Sequence, residues 1–246
     1  MRSVAGRGTA LAMAAALLLS GCSQLERITD VLAPSTDAEL LAAVSLTESD
    51  AAAGAVFQPY EGGDEVFGRT SLDLCYGDFP SEDLRSGRNQ VGIGDEAGTA
   101  WVSSEAILYP TPEDAQQAMA ELEAAREECP SEPVEPPEPD RDALAWEFLP
   151  APDTDWPQEP GVTRQAYAFT ATTPAGEAWT GTATYLQRGR MILALYATPP
   201  ESPAAALRNA PDPARFVEVM SNRLAGLPED PLQYGEPLDD PNDISV

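Results

Sequence analysis

The stretch Ala178-Trp-Thr-Gly-Thr-Ala-Thr-Tyr-Leu-Gln-Arg-Gly-Arg-Met-Ile-Leu-Ala-Leu-Tyr-Ala-Thr198 decides the fold. Gln187-Arg188-Gly189-Arg190 is a short turn, with a glycine where the chain needs a positive φ. Strands are therefore expected over 178–187 and 190–198, joined as a hairpin. In the second strand Met191, Leu193, Leu195 and Ala197 point one way, and Ile192, Ala194 and Tyr196 the other. A strand that is apolar on both sides belongs in the middle of a sheet covered on both faces. Val162–Thr172 predicts a further strand just before the hairpin.

Helices are expected on either side of these strands. Thr111 can cap a helix with Pro112 at its first position and Glu113 and Asp114 in its first turn. Ala115, Met119, Leu122, Ala125 and Cys129 then share one face, and Pro130 ends the helix. A last helix starts at Asp212-Pro213, carries Phe216, Val219, Met220 and Leu224 as its stripe, and stops at Gly226. Near the start, Ser35 or Thr36 can cap Asp37–Val44, and Leu46–Asp50 reads as a capped turn. Residues 70–110 read as β structure, with strands over Gln90–Gly94 and Ala100–Tyr109. The expected fold is a single α+β domain over 37–228, an antiparallel sheet flanked by helices. Residues 131–160 form an insertion with eight prolines and nine acids against one arginine. Trp146, Phe148 and Trp156 within it imply that part of it packs. Residues 229–246 hold six acids and no base and read as a disordered acidic tail.

The N-terminus carries its own signature. Arg2 and Arg7 precede the uncharged run Ala10–Leu19, and Leu19-Ser20-Gly21-Cys22 follows. Ten helical residues span about 15 Å, half a bilayer core, so the run is a signal-peptide core and not a span. The four residues form a lipobox, whose cysteine takes a diacylglyceryl thioether. Residues 1–21 are then a lipoprotein signal peptide and 22–36 a lipidated tether, with the domain on the extracytoplasmic face of the cell membrane. Two acyl chains suffice for stable anchoring. The rival reading is an ordinary secretory leader with a chance cysteine.

Composition excludes several functions. The chain has 14 basic residues, all arginine, 41 acidic residues and no histidine, for a net charge of −27. That disfavours nucleic acid and anionic headgroups. Without His or Lys there is no Ser-His-Asp or Cys-His catalysis, Schiff base, P-loop lysine or histidine metal site. No catalytic residue, metal site or cofactor is expected. A carboxylate-pair hydrolase of the glycosidase kind survives, but no acid pair singles itself out. The four tryptophans could stack on sugars or simply line a core. Glu82 and Arg85 read as an ion pair steadying a loop, or as a site. With Cys22 assigned to lipid, Cys75 and Cys129 remain, and outside the cytoplasm a disulfide is their natural state, against two buried free thiols.

Leu46-Thr-Glu-Ser-Asp50, Thr70-Ser-Leu-Asp-Leu-Cys75, Pro80–Arg85, Asn89-Gln-Val91, Tyr109–Pro112, Glu128-Cys129-Pro130, the Arg188-Gly189 hairpin and Phe216–Leu224 stand in an order that resembles actinobacterial envelope lipoproteins and the PknH-like extracellular sensor domain family. The resemblance covers about residues 40–226. It implies an antiparallel sheet with helices around a ligand-binding cleft. The kinase member has two disulfides where this chain can form one, these 246 residues hold no kinase segment, and no ligand-binding residue carries over. The expected function is a non-enzymatic, lipid-anchored binding or sensor-like lipoprotein for an unidentified small-molecule or envelope ligand. The alternatives are an envelope lipid or glycolipid carrier and, further off, the carboxylate-based hydrolase.

Overall fold

A computed structural model describes residues 34, 36–52, 54–96, 100–136, 142–152, 156–157, 159–198 and 212–233, all within one compact unit, Pro34–Val246. The signal segment, Cys22, the tether to residue 33 and the tail from 234 lie outside the described residues.

The first helix, α1 (Asp37–Val44), is set by its cap. Thr36 Oγ1 accepts the Glu39 N–H while the Glu39 carboxylate accepts the Thr36 N–H, a reciprocal capping box. Its Leu40, Leu41 and Val44 are buried. A single 3₁₀ turn, Glu48–Asp50, follows. The strands are β1 (Val56–Pro59), β2 (Gly87–Gly94), β3 (Ala100–Leu108), β4 (Ala145–Leu149), β5 (Thr163–Thr172), β6 (Ala178–Arg188) and β7 (Met191–Ala197). They form one sheet in the order β1-β2-β3-β7-β6-β5-β4, antiparallel throughout. The strand read as apolar on both sides, β7, is fourth of seven.

Gly189 has φ 56°, and a Cβ there would meet the Leu232 carbonyl oxygen at 2.3 Å. The turn therefore needs glycine both for its backbone angle and for the close approach of the C-terminal segment.

Each face of β7 is covered. Met191, Leu193 and Leu195 pack with Leu40 and Val44 of α1 and with Phe216, Met220 and Leu224 of the helix Pro213–Ala225. Ile192 and Ala194 pack with Leu72, Leu74 and Phe79 and with Ala115, Met119 and Leu122 of the helix Pro112–Glu128. In chain order Pro112–Glu128 is α2, Pro213–Ala225 is α3 and the turn Asp230–Gln233 is α4. Both α2 and α3 begin as expected, with Thr111 and Asp212 as caps and proline in the first turn. Each Leu or Phe fully removed from water contributes about 1.5–3 kcal/mol. No helix among the described residues is long and apolar enough to cross a membrane.

Four details differ from the sequence expectation. Residues 70–86 are not strand but loops and two 3₁₀ segments, Leu74–Tyr76 and Pro80–Leu84, because their backbone is tied to buried side chains described below. Strands β1 and β4 are additions. They form the two edges, where Pro59 ends one and Glu147 points out of the other. Gly226 has φ −79°, so α3 does not end through a left-handed glycine; Arg188 donates to the Leu224 and Leu227 carbonyls at 2.8 and 2.7 Å instead. Finally, residues 230–233 at the start of the acidic tail are folded, with Leu232 buried and its carbonyl accepting the Arg190 N–H.

Candidate functional site

The residues singled out by sequence fall into three places. Cys75 and Cys129 are joined by a disulfide that ties the end of α2 to the loop before β2. Cys75 and Tyr76 both have positive φ, 57° and 52°, an uncommon pair of left-handed non-glycine residues. Among the tryptophans, Trp101 is buried, Trp146 leans on Phe169 with centroids 4.7 Å apart, and Trp156 packs on the α1–α3 cluster. They are walls of the core.

Glu82 and Arg85 do form the ion pair, at 3.2 Å, within a larger buried polar network. Glu82 accepts the Ser71 and Leu72 N–H groups, each at 2.9 Å. The Ser71 hydroxyl donates to Glu105 and accepts from Arg85 and Arg88, and Arg88 also donates to Glu105. Other guanidinium N–H groups of both arginines reach back to the loop before it. Arg88 donates to the carbonyls of Gly62 and Glu65, and Arg85 to those of Val66 and Arg69. Two buried arginines thus hold four carbonyls of one loop, on whose tip Phe67 is 83 % exposed. Burial pushes the Glu82 and Glu105 carboxyls up, against the pull of Arg85 on the first and Arg88 on the second. Glu82 and Glu105 line neither surface hollow described below, and this cluster is structural: every member has a partner inside the protein.

The surface feature that differs from this pattern is a groove of about 300 Å³ between the last turns of α2 and the β4–β5 edge of the sheet. Glu123, Arg126 and Glu127 come from α2, Phe148 and Leu149 from β4, and Gln165 and Tyr167 from β5. The Arg126 guanidinium lies over the Phe148 ring, 5.6 Å from its centroid, a cation–π contact. Among the described residues it has no carboxylate partner of the kind that holds Arg85, Arg88, Arg190 and Arg223. Phe148 and Tyr167 meet edge-on at 6.1 Å. The Tyr167 hydroxyl donates to Gln165 Oε1 at 2.9 Å, and Gln165 Nε2 donates to the Met119 carbonyl at 3.1 Å, which locks that wall. Burial pushes the Tyr167 phenol up to about 12, so it stays a donor at neutral pH. Behind Tyr167 the rings of Tyr185 and Tyr196 continue in a file, and the Tyr196 hydroxyl ends it on the Ser71 carbonyl.

A second open hollow of similar volume lies over the disulfide, walled by Tyr76, Asp78, Glu121, Glu128 and Val134. Among the described residues no three acids or cysteines converge as metal ligands. The groove beside Arg126 was not legible in the sequence. Its residues come from three elements, and β4 is hidden in the proline-rich stretch; the hydrophobic spacing of Trp146 and Phe148 was the one available signal.

No family model matches the chain, and no curated protein matches it. Among solved structures the fold is similar to the crystal structure of the extracellular domain of PknH from Mycobacterium tuberculosis, with a TM-score of 0.44 and 14 % identity over 78 % of this chain and 99 % of that chain.

Proposed function

We infer that the chain is a non-enzymatic, lipid-anchored ligand-binding or sensor-like protein of the bacterial cell envelope. A diacylglyceryl group on Cys22 tethers it, and the folded domain stands on the extracytoplasmic face. The lipobox Leu19-Ser20-Gly21-Cys22 and the order of sensor-domain-like motifs support the placement. The groove between α2 and the β4–β5 edge carries the binding role: it combines aromatic walls with a guanidinium that has no carboxylate partner among the described residues. Convergent polar groups at an apolar concavity are what a ligand site requires.

A carboxylate-pair hydrolase needs two accessible acids across a cleft. Glu82 and Glu105, the acids pushed up by burial, are instead engaged by arginines and backbone. The test is a screen of the mature chain against envelope glycans and lipids that records both turnover and melting temperature. A melting shift without turnover, lost in Tyr167→Ala, supports binding in the groove. Turnover abolished by one Asp→Asn or Glu→Gln change overturns the reading.

A further inference from the structure

We propose that the groove takes an uncharged carbohydrate, one or two ring units of a longer neutral glycan; this rests on the reading of the groove as the ligand site. The lining chemistry selects the class. Glu123 and Glu127 each offer two acceptor oxygens, and Arg126 offers a planar fork of donors. Adjacent hydroxyls on a sugar ring match both kinds of group, since each hydroxyl donates and accepts. The Tyr167 ring supplies the apolar platform on which the C–H face of a sugar packs, Phe148 supports it edge-on while holding Arg126 over its own ring, and Leu149, 39 % exposed, extends the rim.

Charge separates the alternatives. Glu123, Glu127 and Arg126 together carry −1 (1 − 2), in a chain of net charge −27. An anionic polymer or phosphate is repelled by both the groove and the whole-protein field. A cation would meet Arg126 over Phe148. A lipid tail would leave two carboxylates and a guanidinium beside hydrocarbon that offers none of them a partner. A neutral, hydroxyl-rich ligand uses every group without removing any charge from its partner. The volume of about 300 Å³ is at the small end of ligand pockets, and the groove is open, which suits a chain passing through it better than an enclosed molecule.

The experiment is isothermal titration of the mature chain without its Cys22, from Ser23, with neutral hexasaccharides of glucose, mannose and arabinose, with hexagalacturonate as the anionic probe and 1-decanol as the apolar one. At least one neutral hexasaccharide should bind. Tyr167→Ala and Phe148→Ala should each weaken it at least about tenfold, while Tyr167→Phe, which keeps the ring, should change it less than about threefold. Melting curves confirm that each variant is folded. Three outcomes overturn the proposal: no neutral hexasaccharide binds, or one binds equally well to the groove variants, or hexagalacturonate or 1-decanol binds more tightly than any of them. In the last case, if Tyr167→Ala also abolishes that binding, the groove stands as a ligand site and only the carbohydrate assignment falls.

Discussion

Arg88 on β2 and Glu105 on β3 form an ion pair inside the protein, with their side chains 3 % and 1 % exposed. Ser71 bridges them, and the same Arg88 reaches out to two carbonyls of the loop that presents Phe67. Removing one member of such a pair leaves the other charge buried without compensation. Glu105→Gln should therefore lower stability by about 3–5 kcal/mol, measured by urea unfolding. Replacing both, Arg88→Met with Glu105→Leu, should be less costly than the sum of the single changes. Strict additivity would show that the two side chains do not act as a pair.

The disulfide closes a separation of 54 residues. In the chain-entropy model such a cross-link contributes about 4 kcal/mol. Cys75→Ala with Cys129→Ala should thus lower the melting temperature by about 8–16 °C for a domain of this size. Release of the left-handed backbone at Cys75 and Tyr76 works in the opposite direction, so the drop should fall at the smaller end. A variant as stable as the wild type contradicts this account.

Arg190 joins the two ends of the domain. It is 1 % exposed, pairs with Asp37 in the first turn of α1, and donates to the Tyr109 and Pro231 carbonyls. Lysine cannot reproduce that fork. Arg190→Lys should cost about 2 kcal/mol or more through unsatisfied buried acceptors. It should also speed amide hydrogen exchange in 230–233 and the first turn of α1 before it affects the central strands. Uniform loss of protection across the domain would contradict the local role.

Asp50 gives the stability a definite dependence on pH. Burial alone would raise its carboxyl, but hydrogen bonds from Thr47 and from Arg223 Nη2, which donates to both carboxylate oxygens, outweigh burial and hold it below the usual carboxylate value. A carboxyl with a lowered folded-state pKa contributes stability that is complete above its unfolded value, about 3.9. That contribution is lost as the pH falls through the lower folded value. The stability difference between wild type and Asp50→Asn should therefore be constant above about pH 5 and shrink as the pH falls below about 4. A difference that grows on acidification contradicts the assignment.

The parts of the fold that were legible are those decided by local chemistry. The caps Thr36, Thr111 and Asp212, the Gly189 turn and the two-sided apolar pattern of β7 each depend on a few adjacent residues. The parts that were not legible depend on distant partners. The loop at 62–70 is shaped by Arg85 and Arg88, and no local pattern in Gly62-Gly-Asp-Glu-Val-Phe-Gly68 announces that. Strand β4 exists because β5 offers it an edge; the prolines around it lie outside the five paired residues, and the one acid among them, Glu147, is exposed. Leu232 packs because Gly189 leaves room for it, which a purely compositional view of an acidic tail cannot register. The groove combines both problems, since it needs β4, β5 and α2 together.

Cys22 is the residue on which the proposed function turns, because in that proposal the segment before it exports the domain and lipid on the cysteine holds it at a membrane. Metabolic labelling with a clickable fatty acid, in cells producing the wild type or Cys22→Ala, measures this directly. Label on the wild type, together with its absence from a Cys22→Ala chain that remains as uncleaved or mislocalised precursor, is the predicted result. Equal labelling of the two proteins, or an unlabelled wild type, would contradict the account.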